Sequence, residues 1–127
     1  MGFLGYAYYE ENKDKVKAVA IDHGKGCVLH SRETVLDGTY QPLSRPLFIY
    51  VHVKSLDRPE VQAFLDFSLS PAARRAIRST GYVELPSEAY RIGQELVKRR
   101  KAGTFFMELP AGTPLSKFIQ ELDKELR

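Results

Sequence analysis

The feature that most constrains this chain is an apolar run near its middle that has the character of a β-strand. Pro42 and Pro46 lead into residues 47–53, Leu-Phe-Ile-Tyr-Val-His-Val, where β-branched and aromatic residues predominate. Apolar side chains fall on both faces of such a strand, so it must be covered on both sides. The sequence therefore predicts a buried strand here. The first question is whether other parts of the chain can pack against both of its faces.

Bulk properties set mild limits on the class of protein. A chain of 127 residues is one domain or a piece of one, and it buries about two thirds of its unfolded surface if it closes a core. The net charge of +3 comes from 19 basic and 16 acidic residues spread along the chain, so we expect no nucleic-acid partner. The single cysteine, Cys27, excludes an internal disulfide. No run approaches the roughly 18 apolar residues of a membrane span, and the N-terminus lacks the pattern of a signal peptide.

The first half of the chain opens on glycines and aromatic residues, Gly2-Phe3-Leu4-Gly5-Tyr6-Ala7-Tyr8-Tyr9, with no leader, turn or cap before them. We therefore expect the chain to start in the middle of a fold. The charged residues 10–17 predict a short helix or turn, and the alternation of apolar residues predicts a strand over residues 16–21. Glycines predict a loop over residues 22–29. Ser31 is the expected cap of a helix over residues 32–36, which Gly38 ends.

The second half has the pattern of four consecutive helices. They are expected to open at Pro59, at Ser70 with Pro71, at Ser87 as a cap, and at Thr113 with Pro114. The second of these helices should end before Gly81. The expected apolar positions are Val61, Phe64, Leu65 and Phe67 in the first helix, Ala89, Tyr90, Gly93, Leu96 and Val97 in the third, and Leu115, Phe118, Ile119, Leu122 and Leu126 in the fourth.

Four residues of metal-ligating type lie close together in and beside the predicted loop. Asp22, His23, Cys27 and His30 include a His-x3-Cys-x2-His spacing, and their nitrogen, sulfur and oxygen atoms are donors that zinc accepts. Structural zinc sites more often show four soft ligands in paired short spacings. A glycine-containing surface loop explains the same residues, so we assign no metal ligand.

Basic residues in two places could bind anions, and those of the first could contact the phosphates of a nucleic acid. The run Lys98-Arg99-Arg100-Lys101 stands at the end of a predicted helix, where cations also meet the negative end of the helix dipole. The tetrapeptide Arg78-Ser79-Thr80-Gly81 looks like an anion-binding loop. It closes a helix, however, and so presents carbonyl groups, whereas anion-binding loops present N–H groups at a helix start. The structural interpretation is preferred for both.

Aromatic side chains offer a further candidate surface, whereas no catalytic site emerges. The aromatic residues of the first half either line a binding cleft or stand at the edge of a core; they are Tyr6, Tyr8, Tyr9, Tyr40, Tyr50, Phe3 and Phe48. No serine or cysteine stands in a nucleophile elbow. The carboxylates expected on solvated faces are Glu10, Glu11, Glu121, Asp123 and Glu125. We therefore expect no enzyme, no catalytic residue and no cofactor.

The ordered set of segments resembles a known family. The glycine-aromatic residues 2–9, followed by residues 31–40, 42–53, 59–69 and 81–86, resemble in order and spacing the C-terminal part of the phosphate-binding proteins of phosphate ABC transporters. The tail, with Lys101-Ala102-Gly103-Thr104-Phe105-Phe106 and the last helix, is also similar to the end of that family. The resemblance covers essentially the whole chain.

The resemblance implies an α/β protein with an incomplete type II periplasmic binding-protein fold, in which two lobes joined by crossing strands close over an anion by a hinge motion. It implies that residues 1–43 are the remainder of lobe two. Residues 44–127 would then complete lobe one with the crossing strand and the terminal helices. A complete member of the family binds inorganic phosphate, docks on the membrane permease of the transporter and works in the periplasm or another extracytoplasmic compartment.

The phosphate ligands of the family fall in the part that would precede this chain, and no Ser-Gly-Thr motif, which the family places near a ligand arginine, occurs here. We therefore expect no phosphate-binding residue in this chain, and phosphate binding only when an N-terminal half completes it. Two functions remain. One is a C-terminal segment of a non-catalytic phosphate-binding protein; the other is a free-standing interaction module, a homo-oligomer whose paired or exchanged strands replace the missing cover.

Overall fold

Helices dominate the computed structural model, which describes residues 1–103, Pro110 and residues 113–127. The helices are α1 (Tyr6–Asn12), α2 (Arg32–Leu36), α3 (Pro59–Ser68), α4 (Pro71–Ser79), α5 (Ser87–Lys98) and α6 (Leu115–Leu126), with a 3₁₀ helix over Val53–Asp57. A hairpin of β1 (Ile21–Asp22) and β2 (Cys27–Val28) lies between α1 and α2. We refer to residues 1–43 as the N-terminal segment and to residues 44–127 as the helical segment.

The start of the N-terminal segment is helical earlier than predicted. The aromatic residues themselves form α1, whereas the sequence placed a helix or turn over residues 10–17. The helix α2 is confirmed: the Ser31 hydroxyl accepts from the Thr34 N–H at 3.1 Å, and the Thr34 hydroxyl accepts from the Ser31 N–H at 2.8 Å. This reciprocal pair satisfies two N–H groups at the helix start. Gly38, with a φ of +79°, follows its end.

The strand predicted over residues 16–21 is wrong except at its last residue. Residues 17–20 have no regular structure, and Ile21–Asp22 pairs antiparallel with Cys27–Val28, inside the stretch predicted to be a loop. The turn between them contains Gly24 and Gly26, whose φ angles of +84° and +99° favour glycine. A strand needs a neighbour for its backbone groups, and only two residues here have one.

The buried strand predicted over residues 47–53 does not form. Residues 45–52 have no regular structure, and no strand lies beside them in the part of the chain that is described. Leu47, Ile49 and Tyr50 are 73%, 56% and 77% exposed. Backbone N–H and C=O groups hold a strand only when a neighbour pairs with them. The run therefore has the composition of a buried strand, but no described residue pairs with it as a strand. The helices and the one small sheet are compatible with a part of an α/β protein.

The helix starts of the helical segment lie at or next to the predicted residues. Pro59 is the first residue of α3, and the Ser70 hydroxyl accepts from the Ala73 N–H at 3.2 Å to cap α4. Ser87 is instead the first residue of α5, where it makes no capping bond. The helix α6 begins at Leu115, directly after the predicted opening at Thr113 and Pro114, and the Thr113 hydroxyl donates to the Pro110 carbonyl at 2.6 Å.

The main core lies between α5 and α6. It contains Ile92, Ile119, Leu122 and Leu126, with Ala89, Leu96, Leu115 and Phe118 packed around them, so the apolar stripe predicted for α6 is confirmed. The prediction for α5 missed Ile92, which is 1% exposed and lies three residues after Ala89 on the same face. Burying side chains of this size contributes about 1.5–3 kcal/mol each.

The helix α3 buries less than its sequence predicts. Leu65 is 4% exposed, but Phe64 and Phe67 are 57% and 55% exposed. Two phenylalanines on the outer side of a helix need a covering surface that the described residues do not provide. Among the described residues, no helix is long and apolar enough to span a membrane.

Candidate functional site

Three of the predicted tyrosines surround His30. The ring centres of Tyr9, Tyr6 and Tyr40 lie 4.4, 5.3 and 5.9 Å from that of His30, each edge to face. All four side chains are half-buried. Burial, with a smaller contribution from the nearby Glu10 carboxylate, raises the pKa of Tyr6. These tyrosines therefore form the edge of a small core, one of the two predicted alternatives.

The other aromatic residues predicted to line a cleft do not join this cluster. Phe3, Tyr8 and Tyr50 are 91%, 60% and 77% exposed. Phe48 and Tyr50 lie side by side on the irregular run, with ring centres 6.2 Å apart. The structure does not bring the predicted set together into one cleft.

The residues of the possible zinc site are divided between other roles. The Asp22 carboxylate accepts from the N–H groups of Gly24 at 2.8 Å and Gly26 at 3.1 Å, which closes the hairpin turn. His30 belongs to the aromatic cluster, and Cys27 is exposed. No group of three histidine, cysteine or acidic side chains suited to a metal occurs among the described residues.

The two arginines of the basic run are engaged by neighbouring elements. Arg99 donates to the Glu95 carboxylate at 3.3 Å and to the Leu126 carbonyl at the end of α6. Arg100 donates to the Asp57 carboxylate at 2.6 Å. The run therefore ties the end of α5 to α6 and to the 3₁₀ helix, which supports its structural interpretation.

The Arg78 tetrapeptide closes α4, as its sequence predicts. The N–H groups of Thr80 and Gly81 donate back to the carbonyls of Ile77 and Arg78. The Arg78 side chain instead faces Glu84, whose carboxylate oxygen Oε2 lies 3.2 Å from Arg78 Nε. The second oxygen of Glu84 accepts from Arg32 Nη2 at 2.7 Å. Sequence reasoning missed Glu84 because its partner Arg32 lies 52 residues away and no local spacing links them.

Charged side chains also link α5 to α6 in an open surface depression. Arg91 donates to Asp123 at 2.6 Å and also binds Glu88, and Arg127 lies 2.9 Å from the second oxygen of Asp123. The arginines lower the pKa of Asp123, and Arg91 lowers that of Glu88. The Asp123 side chain is 23% exposed, so this face keeps the contact with water that the sequence predicts, and its carboxylate is paired as well. Pairing among these charged side chains supports a structural role for them.

Several large apolar side chains of the chain are exposed. They are Leu43 in the turn before the irregular run, Leu47, Phe48, Ile49 and Tyr50 on the run, and Phe64 and Phe67 on α3. Apolar side chains exposed in such numbers are typical of a contact surface. Leu47, Ile49 and Phe64, which the sequence predicts to be covered, are therefore exposed.

Comparisons with known proteins identify relatives much longer than this chain. It is 45% identical over 123 residues to Protein SphX of Synechocystis sp., a match that covers 92% of the chain and 36% of the relative. It is 42% identical over 107 residues to Protein SphX of Synechococcus elongatus, covering 84% of the chain and 32% of the relative. It is 42% identical over 93 residues to the phosphate-binding protein PstS of Staphylococcus haemolyticus, covering 72% of the chain and 29% of the relative.

The chain corresponds to the C-terminal part of the SphX and PstS proteins, of which PstS is named a phosphate-binding protein. The resemblance predicted from the sequence is thereby confirmed, and the chain spans about a third of the length of these SphX and PstS relatives. No family model and no solved structure matches it. Residues 104–106 of the tail that contributed to the resemblance lie outside the described residues.

Proposed function

We propose that this chain is the C-terminal segment of a substrate-binding protein for ABC-type phosphate uptake. It catalyses no reaction; the complete protein binds inorganic phosphate between two lobes by hinge closure and delivers it to a membrane permease outside the cytoplasm. Residues 1–43 finish lobe two of a type II periplasmic binding-protein fold, and residues 44–127 complete lobe one. None of the phosphate ligands comes from this chain.

The match to phosphate-binding PstS over 72% of the chain but only 29% of that relative carries the proposal. A chain that corresponds to a third of a larger protein should expose the surfaces that the rest would cover. The exposed run at residues 47–53 and the exposed Phe64 and Phe67 on α3 agree with that expectation.

Complementation tests this proposal. The chain is produced together with the part of Synechocystis SphX that precedes the matched region, and phosphate binding is measured by calorimetry for the purified pair and for the chain alone. We expect the pair to bind phosphate and the chain alone to bind none, with sulfate as the control anion. Submicromolar binding by the chain alone contradicts the assignment of the ligands, and a purified pair without phosphate binding contradicts the function.

The free-standing interaction module is the second candidate, and the same exposed run favours it, since pairing between two copies would also cover the run. The mass of the isolated chain in solution separates the two. A homo-oligomer that forms no complex with the SphX part supports the module. A monomer excludes it.

A further inference from the structure

Apolar packing contributes little to the position of the N-terminal segment. Throughout residues 1–43, Ala7 is the one buried hydrophobic residue, at 7% exposed, whereas the main core belongs to α5 and α6. Ala7 lies against the turn between α4 and α5, where a Cβ on Gly81 would stand 3.2 Å from the Ala7 Cα. A second close approach joins the same segments, where a Cβ on Gly38 would stand 3.2 Å from the Pro114 Cβ. Each of these two contacts involves a glycine and removes little apolar surface from water, so they hold the segments together weakly.

A charged contact lies beside the contact of Ala7 with Gly81. Arg32 of α2 donates to Glu84 Oε1 at 2.7 Å, which joins the N-terminal segment to the chain just before α5. The side chain of Glu84 is 18% exposed and that of Arg32 is 37% exposed, so water screens the pair only partly. A hydrogen bond between two charged groups is also among the stronger and more directional contacts in proteins.

Glu84 also faces a basic residue of its own segment. Arg78, near the end of α4, brings its Nε to 3.2 Å from Glu84 Oε2, and Gly81 closes the helix with a φ of +78°. The Arg78 side chain is 53% exposed, and Glu84 Oε2 has no hydrogen-bond partner among the described residues, so Arg78 adds a charge contact without holding the carboxylate in place. The hydrogen bond of this carboxylate is the one from Arg32. Truncating either Arg32 or Glu84 would remove the one bond of the pair that crosses between the segments.

We propose that Arg32 and Glu84 form a latch that sets the orientation of the N-terminal segment against the turn between α4 and α5. Arg78 lies in the same segment as Glu84, so its ion pair does not contribute to the latch. The latch is a property of this chain and operates whether or not the protein binds phosphate.

Distances between two spin labels test the latch. One label is attached to the exposed native Cys27 in the N-terminal segment, and the other to a Lys117→Cys substitution on the exposed side of α6. Dilution with unlabelled chain restricts the measurement to distances within one molecule. We expect a narrow distribution for the parent chain and distributions at least about twofold broader for Glu84→Gln and for Arg32→Gln, because each lets the segments move relative to each other.

Matched controls separate a latch from a general loss of structure. Arg78→Gln and Glu88→Gln each remove an ion pair within the helical segment, and both should leave the distribution narrow. The double variant of Arg32 and Glu84 should be no broader than either single variant, since both act on one bond. Narrow distributions in Arg32→Gln and Glu84→Gln overturn the proposal. So does equal broadening in Arg78→Gln, which would assign the effect to the turn itself.

Discussion

Arg100 is the residue whose backbone departs furthest from what its side chain favours. Its φ is +51°, and among the described residues it is the one non-glycine residue with a positive φ. It stands two positions after the end of α5, where glycine is the usual residue because a Cβ is strained in this conformation. The sequence showed a basic run ending a helix but gave no sign of the positive φ, which depends on how the chain leaves α5.

Replacing Arg100 with glycine should stabilise the chain. Relief of the left-handed conformation should outweigh the loss of the exposed pair with Asp57, for a net gain of about 0.5–1 kcal/mol in the free energy of unfolding. Urea denaturation measures it. Asp57→Asn is the control, since it removes the same ion pair with the backbone unchanged, and it should cost less than about 0.5 kcal/mol. A loss of stability in Arg100→Gly would show that the side-chain contact dominates.

The elements that could be predicted are those with local signals. The Ser31 and Ser70 caps and the proline at Pro59 depend on residues within one turn of the helix start, and all three are confirmed. The strands failed because a strand depends on a distant partner, which no local pattern names. The contact of Glu84 with Arg32 could not be predicted for the same reason, because the two residues are far apart in the sequence. The burial of Ile92 could have been predicted from its helical spacing to Ala89.

Acid should weaken the pairing of α5 with α6. The pKa values of Glu88 and Asp123 lie below their ordinary values of 4.5 and 3.8 in the folded chain, because Arg91 and Arg127 stabilise the carboxylates. Their contribution to stability is present above those ordinary values and is lost as the pH falls through the lowered folded values. We therefore expect the melting temperature to fall as the pH drops below 4.5.

Arg91→Gln is the matched variant for this pH dependence. Without the guanidinium that binds both carboxylates, the fall of the melting temperature with acid should become shallower. Carboxyl titration by NMR should show the pKa values of Glu88 and Asp123 moving up towards their ordinary values. An unchanged acid profile in the variant would mean that other carboxylates govern the acid limb.

At the scale of the whole molecule, the sequence predicted a strand buried on both faces, and the described part of the chain does not bury it. The composition of residues 47–53 indicated a strand covered on both faces, whereas in the structure residues 47–52 are irregular and Leu47, Ile49 and Tyr50 are exposed. Which surface covers them could not be deduced from the residues, because the relatives carry most of their length outside the match. The absence of a phosphate ligand in this chain stays a prediction.

Serine substitutions at Leu47 and Ile49 should weaken association with the SphX part while leaving the stability of the isolated chain nearly unchanged. Both side chains are more than half exposed, so the stability of the isolated chain should change by less than about 0.5 kcal/mol in urea denaturation. Association with the SphX part should weaken at least about tenfold, since apolar contact area is lost. Leu65→Ala is the control, and it should destabilise the isolated chain by about 2–5 kcal/mol because Leu65 is 4% exposed. Equal destabilisation by the serine pair would show that the run is already packed.

The exposed run at residues 47–53 also makes this chain prone to aggregate when it is produced alone. The seven consecutive residues there include no lysine, arginine, acidic residue, proline or glycine, and most are β-branched or aromatic, which is the composition of segments that stack into cross-β fibrils. Arg45 and Pro46 precede the run and Lys54 follows it, residues of the kind that oppose such stacking at the edges of an apolar strand. A chain of this kind therefore stays dispersed only while those flanking residues, or a covering partner, keep one copy of the run from meeting another.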